Sequence, residues 1–372
     1  MTLNPPRHHW VSMFEPMPYL EWIEGRPAAA DHDLGSSDLR THRADGSVTP
    51  QPLSGLPDPD DPPSLSASIA AEYGVDESSV LVTAGATHAN FLAAATALSL
   101  ADGDGIVVEE PGYDPLVHTP AGIGGTVERF ERPARSGYPL LPGEIASAVS
   151  EQAALVTVTN RHNPTGRLAS RPELASVAEA VTDANSRLLV DEVYGPYTAE
   201  DDAEGAFGGV TAAGLPNTVV TGSFTKFHGL GGLQIGWLIA DGPFVERARE
   251  VFMHVPSVAA PSRALARRFF AHRDELVADS RSHLRWNHEL LSSFVEGRSD
   301  LDGGIAAGCT FGFVEHARAD GDELAEAAWD AGVLVVPGRF FGAPSGIRIS
   351  AGRSPEAVEP GLNTLGEVLD EL

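Results

Sequence analysis

The chain has 372 residues, 42% hydrophobic and 21% charged, enough for two units that each bury a core, and this composition excludes both a disordered and a fibrous chain. Its 52 acidic residues against 25 basic ones leave a net charge of −27, spread along the chain as in 58–61 and 200–204, which argues against a nucleic-acid partner and resembles the salt-adapted surfaces of halophilic proteins. A single cysteine, Cys309, read as a packing residue, excludes an intramolecular disulfide or a multi-thiolate metal site. No run has the apolar core of a signal peptide or the length of a membrane span, so no membrane partner and a reducing, cytoplasmic location are expected.

In chain order, residues 41–64 are rich in Pro, Asp and Gly without apolar period and read as a loop or strap. From about residue 80 to 240, β-rich runs alternate with helical patterns. The runs are VLVTA from Val80, GIVVE from Gly105, ALVTVTN from Ala154, RLLVD from Arg187, TVVTG from Thr218 and IGWLIA from Ile235. Between them, 87–100 and 171–185 carry helical apolar spacing. The alternation predicts an α/β class with a mostly parallel sheet sandwiched by helices. After Pro243 the pattern changes to one long helical region over 261–294, a strand at CTFGFVE, a helix at 323–331, strands LVVP and GIRIS, and a final amphipathic helix. That is a smaller α+β unit. The expected division is a large unit of 46–250 and a small one made of 1–45 with 251–372.

Twenty-four of the 25 basic residues are arginine and one, Lys226, is lysine. An amine can lose its proton and attack a carbonyl, which a guanidinium cannot. Lys226 follows the strand TVVTG within GSFTKFHGLGGLQIGW, whose five glycines let backbone approach a ligand, and such loops after strand ends are where α/β sheets place ligands. VDEVY sets Asp191 and Tyr194 at the end of another strand, and TNRHNPTG sets Asn163 just beyond a third. A carboxylate, a phenol, an amide and an amine meeting at one sheet edge suit a pyridine cofactor, because the carboxylate keeps the ring nitrogen protonated.

In this order and spacing the motifs resemble those of the fold-type I pyridoxal-phosphate enzymes, specifically the class I/II aminotransferases, over nearly the whole chain. The resemblance implies pyridoxal 5′-phosphate as cofactor, no metal, and a large cofactor-binding domain. It implies that Lys226 in SFTK bears the Schiff base and shuttles a proton, that Asp191 partners the pyridine nitrogen, and that Tyr194 and Asn163 bind the phenolic oxygen. Tyr113 in EEPGYDPL would stack on the ring. Ala86 and Thr87 in TAGATHANF would receive the phosphate at a helix start, with Ser223 as a further ligand. Arg348 in GIRISAG, with Asn163 and Gly35, would bind substrate, the side-chain pocket lying near 34–37. The implied reaction is amino-group transfer between an amino acid and a 2-oxo acid, in a homodimer. A lyase, decarboxylase or synthase with the same cofactor, or a non-catalytic homologue, stays open. The chain departs from the family at Gln234, where an arginine usually meets the phosphate, and LSGLPDPDDPP lacks the tyrosine that a neighbouring subunit usually lends.

Overall fold

The computed structural model describes residues 14–39, 49–150, 153–198 and 205–372. Of the expected loop 41–64, residues 41–48 lie outside the described residues, and 49–64 hold one short 3-10 turn, Gln51–Leu53. The acidic stretch 200–204 and the 45/46 boundary also fall outside them.

The described elements begin with α1 (Pro18–Ile23), α2 (Arg26–Ala29) and β1 (His32–Asp33). The alternating region follows as α3 (Leu65–Tyr73), β2 (Val80–Thr83), α4 (Gly85–Leu100), β3 (Gly105–Glu110), α5 (Pro115–Gly122), β4 (Thr126–Glu131) and α6 (Pro142–Ala148). It continues with β5 (Ala153–Thr159), α7 (Arg171–Asp183), β6 (Arg187–Asp191), β7 (Thr218–Ser223), β8 (Gly236–Ile239) and α8 (Gly242–Phe252). Its seven strands form one sheet in the order β2-β8-β7-β6-β5-β3-β4, parallel throughout except for β8, which runs against both neighbours.

Strand side chains alternate between two cores, which is why these runs are apolar without interruption. Leu81, Ile106, Leu155, Leu189, Val219 and Leu238 face α4, α5 and α8. Their neighbours Val82, Val107, Val156, Val190, Val220 and Ile239 face α3, α6 and α7. β4 was not legible in the sequence because TVERFE is an edge strand in which Phe130 alone is buried.

The remainder comprises α9 (Ala260–Ala271), α10 (Arg273–Glu296), β9 (Leu301–Gly303), β10 (Phe311–His316), α11 (Gly321–Asp330), β11 (Val333–Leu334), β12 (Val336–Pro337), β13 (Gly346–Ser350) and α12 (Pro355–Glu371). Four of its strands form an antiparallel sheet, β12-β13-β10-β9, while β11 pairs in parallel with β1 from the N-terminal segment. Two expectations are corrected here. The single helix over 261–294 is two helices, broken at His272 (φ −118°, ψ 22°). The break re-aims the chain, so that α10 packs Leu276 and Leu284 into the large core and Leu291 and Val295 into the smaller one. LVVP is likewise two short strands, because the chain leaves β1 and joins β13 within four residues.

Candidate active site

A cavity of about 200 Å3 opens at the carboxyl ends of β5, β6 and β7, against the start of α4. The chain winds from β3 outward to β4 and from β5 through β6 to β7 in the other direction, so the cavity lies where the strand order reverses, a position that collects loops from several strands.

Asp191 is the last residue of β6 and is 3% exposed. Asn90 of α4 donates to its Oδ2 at 2.8 Å and the Val193 N–H to its Oδ1 at 3.0 Å. Thr221 in turn donates to Asn90 Oδ1 at 2.6 Å, which fixes the amide's orientation. Burial pushes the Asp191 carboxyl above the usual range, while these donors and the charge of Lys226 pull it back.

Tyr194 is buried, its ring 4.6 Å from that of Phe311 and its hydroxyl 2.6 Å from Ser37 Oγ. Asn163 is held by its N–H on Thr159 Oγ1 at 3.1 Å. Its side-chain oxygen accepts from Arg348 Nη1 at 2.9 Å. Arg348 stands on β13 with only 2% of its surface exposed, and donates through Nη2 to Gly35 O at 2.9 Å and to Tyr19 OH at 3.5 Å. A guanidinium so deeply buried and pointing at a cavity wall suits an anionic ligand such as a carboxylate.

Lys226 lies three residues after β7. Its Nζ is 2.5 Å from Asp38 Oδ1 and 5.8 Å from the centre of the Tyr194 ring. Burial draws its proton affinity down, but Asp38 and the phenols Tyr194 and Tyr113 outweigh that and hold the ammonium above its ordinary range. Tyr113, in the loop before α5, meets Tyr19 edge-on at 5.9 Å, and burial pushes its phenol up.

Ala86 and Thr87 occupy the first turn of α4, where the leading N–H groups of any helix have no intrahelical acceptor. Gly85 permits this start: its φ is +81°, and a Cβ on the neighbouring Gly236 would sit 2.4 Å from the Gly85 carbonyl carbon, so the two backbones touch. Ser223 Oγ accepts from the Thr225 N–H at 3.3 Å. Gln234 is in a left-handed conformation (φ 49°) and its amide donates to Gly231 O at 3.1 Å, beside Gly85. His228, the histidine nearest in sequence to the lysine, is packed among Phe207, Phe269, Phe227 and Phe224 at 4.6 to 5.3 Å and is not part of the cavity wall.

The structure thus brings Ala86, Thr87, Tyr113, Asn163, Asp191, Tyr194, Ser223, Lys226 and Arg348 to one cavity, with Gly35 held to it through Arg348. Reasoning from sequence missed Tyr19, Asp38 and Asn90, while Ser37, within the stretch 34–37 expected near the side-chain pocket, lines the cavity. Asn90, the one amide of the alanine-rich α4, carried a signal; Tyr19 and Asp38 reach the site through contacts with Arg348 and Lys226 across 329 and 188 residues. The donor set fits pyridoxal phosphate: a buried carboxylate for a cationic ring nitrogen, a phenol and an amide for a phenolic oxygen, an amine for the aldehyde, and a helix start with hydroxyls for a phosphate. Among the described residues no cluster of acidic, histidine or cysteine side chains could hold a metal ion. None of the helices described is long and apolar enough to cross a membrane.

The family model for aminotransferase class I and II matches residues 34–365. The chain is 27% identical over 311 residues to a histidinol-phosphate aminotransferase of Halobacterium salinarum, covering 82% of this chain and 81% of that protein. A solved pyridoxal-phosphate-dependent aminotransferase from Streptococcus suis superimposes with a TM-score of 0.81 at 20% identity, covering 96% of this chain and 98% of its own. A solved pyridoxal-phosphate-dependent cyclase, OrfR, matches with a TM-score of 0.76 at 25% identity over the full length of both chains.

Proposed function

From the premise that the chain belongs to the aminotransferase class I and II family and is a pyridoxal-phosphate-dependent aminotransferase, we propose that Lys226 carries the cofactor as a Schiff base and that the cavity exchanges an amino group between an amino acid and a 2-oxo acid. The observation that carries this reading is the convergence of the chain's single lysine with buried Asp191 and buried Arg348 on one cavity.

In this reading Asp191 faces the ring nitrogen and keeps it protonated, its own orientation fixed by Asn90 and Thr221. The cofactor supplies one thing, a cationic ring that draws off the electron pair left at the substrate Cα. Arg348, whose Nη1 donates to Asn163, would grip the substrate α-carboxylate with its fork, and Asn163 and Tyr194 would hold the cofactor's phenolic oxygen. With the cofactor and substrate bound, the Lys226 amine would be the base that takes the substrate Cα proton and the acid that returns it on the cofactor side. Tyr113 would cover the ring face, and Ala86, Thr87 and Ser223 would hold the phosphate. The site then lies between the proposed large unit, 46–250, and the small one, 1–45 with 251–372. The family resemblance supports a homodimer, and the single cysteine, which leaves no intramolecular disulfide to form, supports a cytoplasmic location.

A screen of amino acids against the loaded protein tests the reaction class. One or more should convert the cofactor to its amine form, seen as an absorbance change that a 2-oxo acid reverses. Release of ammonia, carbon dioxide or a cyclised product with no acceptor required would contradict amino transfer.

A further inference from the structure

The loop 34–39 after β1 borders the cavity through Ser37 and is fastened on both sides of Asp38. Ahead of it, Gly35 O accepts from Arg348 at 2.9 Å, Ser37 Oγ meets Tyr194 OH at 2.6 Å, and Tyr197 OH donates to Ser37 O at 2.9 Å. Behind it, the Leu39 N–H donates to the carbonyl of Lys226 itself at 3.0 Å. Asp38 is therefore built into position, its Oδ1 2.5 Å from Lys226 Nζ and its side chain about a quarter exposed. Among the described residues the phenols of Tyr194 and Tyr113 and the carboxylate of Asp191 also act on that nitrogen, and Asp38, in contact with it, is the nearest negative charge.

A carboxylate fixed there has a definite chemical consequence. An amine that must lose its proton is a poor place for a counter-ion, whereas a C=N nitrogen that must keep a proton to be attacked at carbon is a good one. We propose that Asp38 is the counter-ion of the Lys226 nitrogen, holding a proton on it as the ammonium of the unloaded protein and when it is joined to the cofactor's aldehyde carbon, whereas the amine released by the substrate acts as base only away from Asp38; this rests on the assignment of Lys226 as the cofactor-bearing residue. Asp38 is a positioning residue in this sense: it acts through Lys226. It makes the linkage ready for attack over a wide pH range, and the incoming amino acid then has to arrive as the free amine, so substrate capture is favoured by alkaline conditions.

The single lysine makes a direct test possible. Protein made with lysine labelled at Cε with carbon-13 gives one side-chain signal, whose shift against pH reports the proton affinity of Lys226 in the unloaded protein. In the loaded protein, the visible absorbance of the C=N linkage against pH reports the same quantity for the joined nitrogen. Both arms should show the proton affinity falling about 10- to 1,000-fold in Asp38→Asn, the range a removed neighbouring charge produces, and largely restored in Asp38→Glu. Asp38→Ser replaces the Asn variant if the latter does not fold. Equal proton affinities in wild type and the neutral variants, in either arm, would overturn the proposal. If a folded protein forms no linkage to pyridoxal phosphate at all, the functional reading fails, and the unloaded arm still decides whether Asp38 holds the Lys226 proton.

Discussion

Gln234 turns its amide onto its own loop, at Gly231 O, next to the helix start proposed to hold the phosphate. The described cavity wall carries two cations, Lys226 and Arg348, and both have other proposed partners. His228 is held inside an aromatic cluster and does not make up the difference. A hydrogen bond to a charged group contributes about 1.5 to 3 kcal/mol, so Gln234→Arg should tighten pyridoxal phosphate binding by roughly 10- to 150-fold at low salt, with the gain shrinking as salt rises. Dissociation constants at two salt concentrations check this, and no gain at low salt would contradict a site short of one charge. Arg348→Ala should weaken amino-acid and oxo-acid binding by roughly 100-fold or more, since two charged hydrogen bonds are lost, while the cofactor's spectrum stays as in wild type. Loss of the cofactor from this variant would instead assign Arg348 to holding it.

Buried Glu109 ties the end of β3 to the end of β5 through Thr159 and to the segment after β4 through an ion pair with Arg132. Glu109 of β3 accepts from Arg132 Nη1 at 2.7 Å and from the Thr159 N–H at 2.7 Å, and Thr159 Oγ1 accepts from the Asn163 N–H. Glu109 and Arg132 are each at most 1% exposed. Removing one member of such a pair strands a buried charge, so Arg132→Met should lower the unfolding free energy by about 3 to 5 kcal/mol in urea melts and loosen the placement of Asn163. A loss under about 1 kcal/mol would mean that water reaches Glu109. This element illustrates what sequence could and could not give. The strands buried on both faces were legible as unbroken apolar runs, and the lysine, the carboxylate and the arginine were legible because each stands in a compact local motif. β4 was not, because an edge strand can be mostly polar, nor was the turn at His272, because both flanking helices keep helical periodicity. Asp38 and Tyr19 entered the site through pairings set by β1 on β11 and by the Arg348 fork, which no local pattern encodes.

Across the whole molecule, the net charge of −27 opposes compaction at low ionic strength. Screening shortens from about 10 Å at 0.1 M salt to about 3 Å at 1 M, so the thermal midpoint should rise steadily with potassium chloride over that interval, a proposed adaptation to salt. Light scattering on the same samples should give twice the chain mass of 39.1 kDa. A midpoint flat in salt, or a fully active monomer, would contradict these two expectations respectively. The central claim, that Lys226 carries the cofactor, has a more direct test. Borohydride reduction of the protein loaded with pyridoxal phosphate, followed by digestion and mass spectrometry, should find one pyridoxyl group, on the peptide containing Lys226, the chain's single lysine. Reduction of the bound cofactor with no modified lysine would contradict the account.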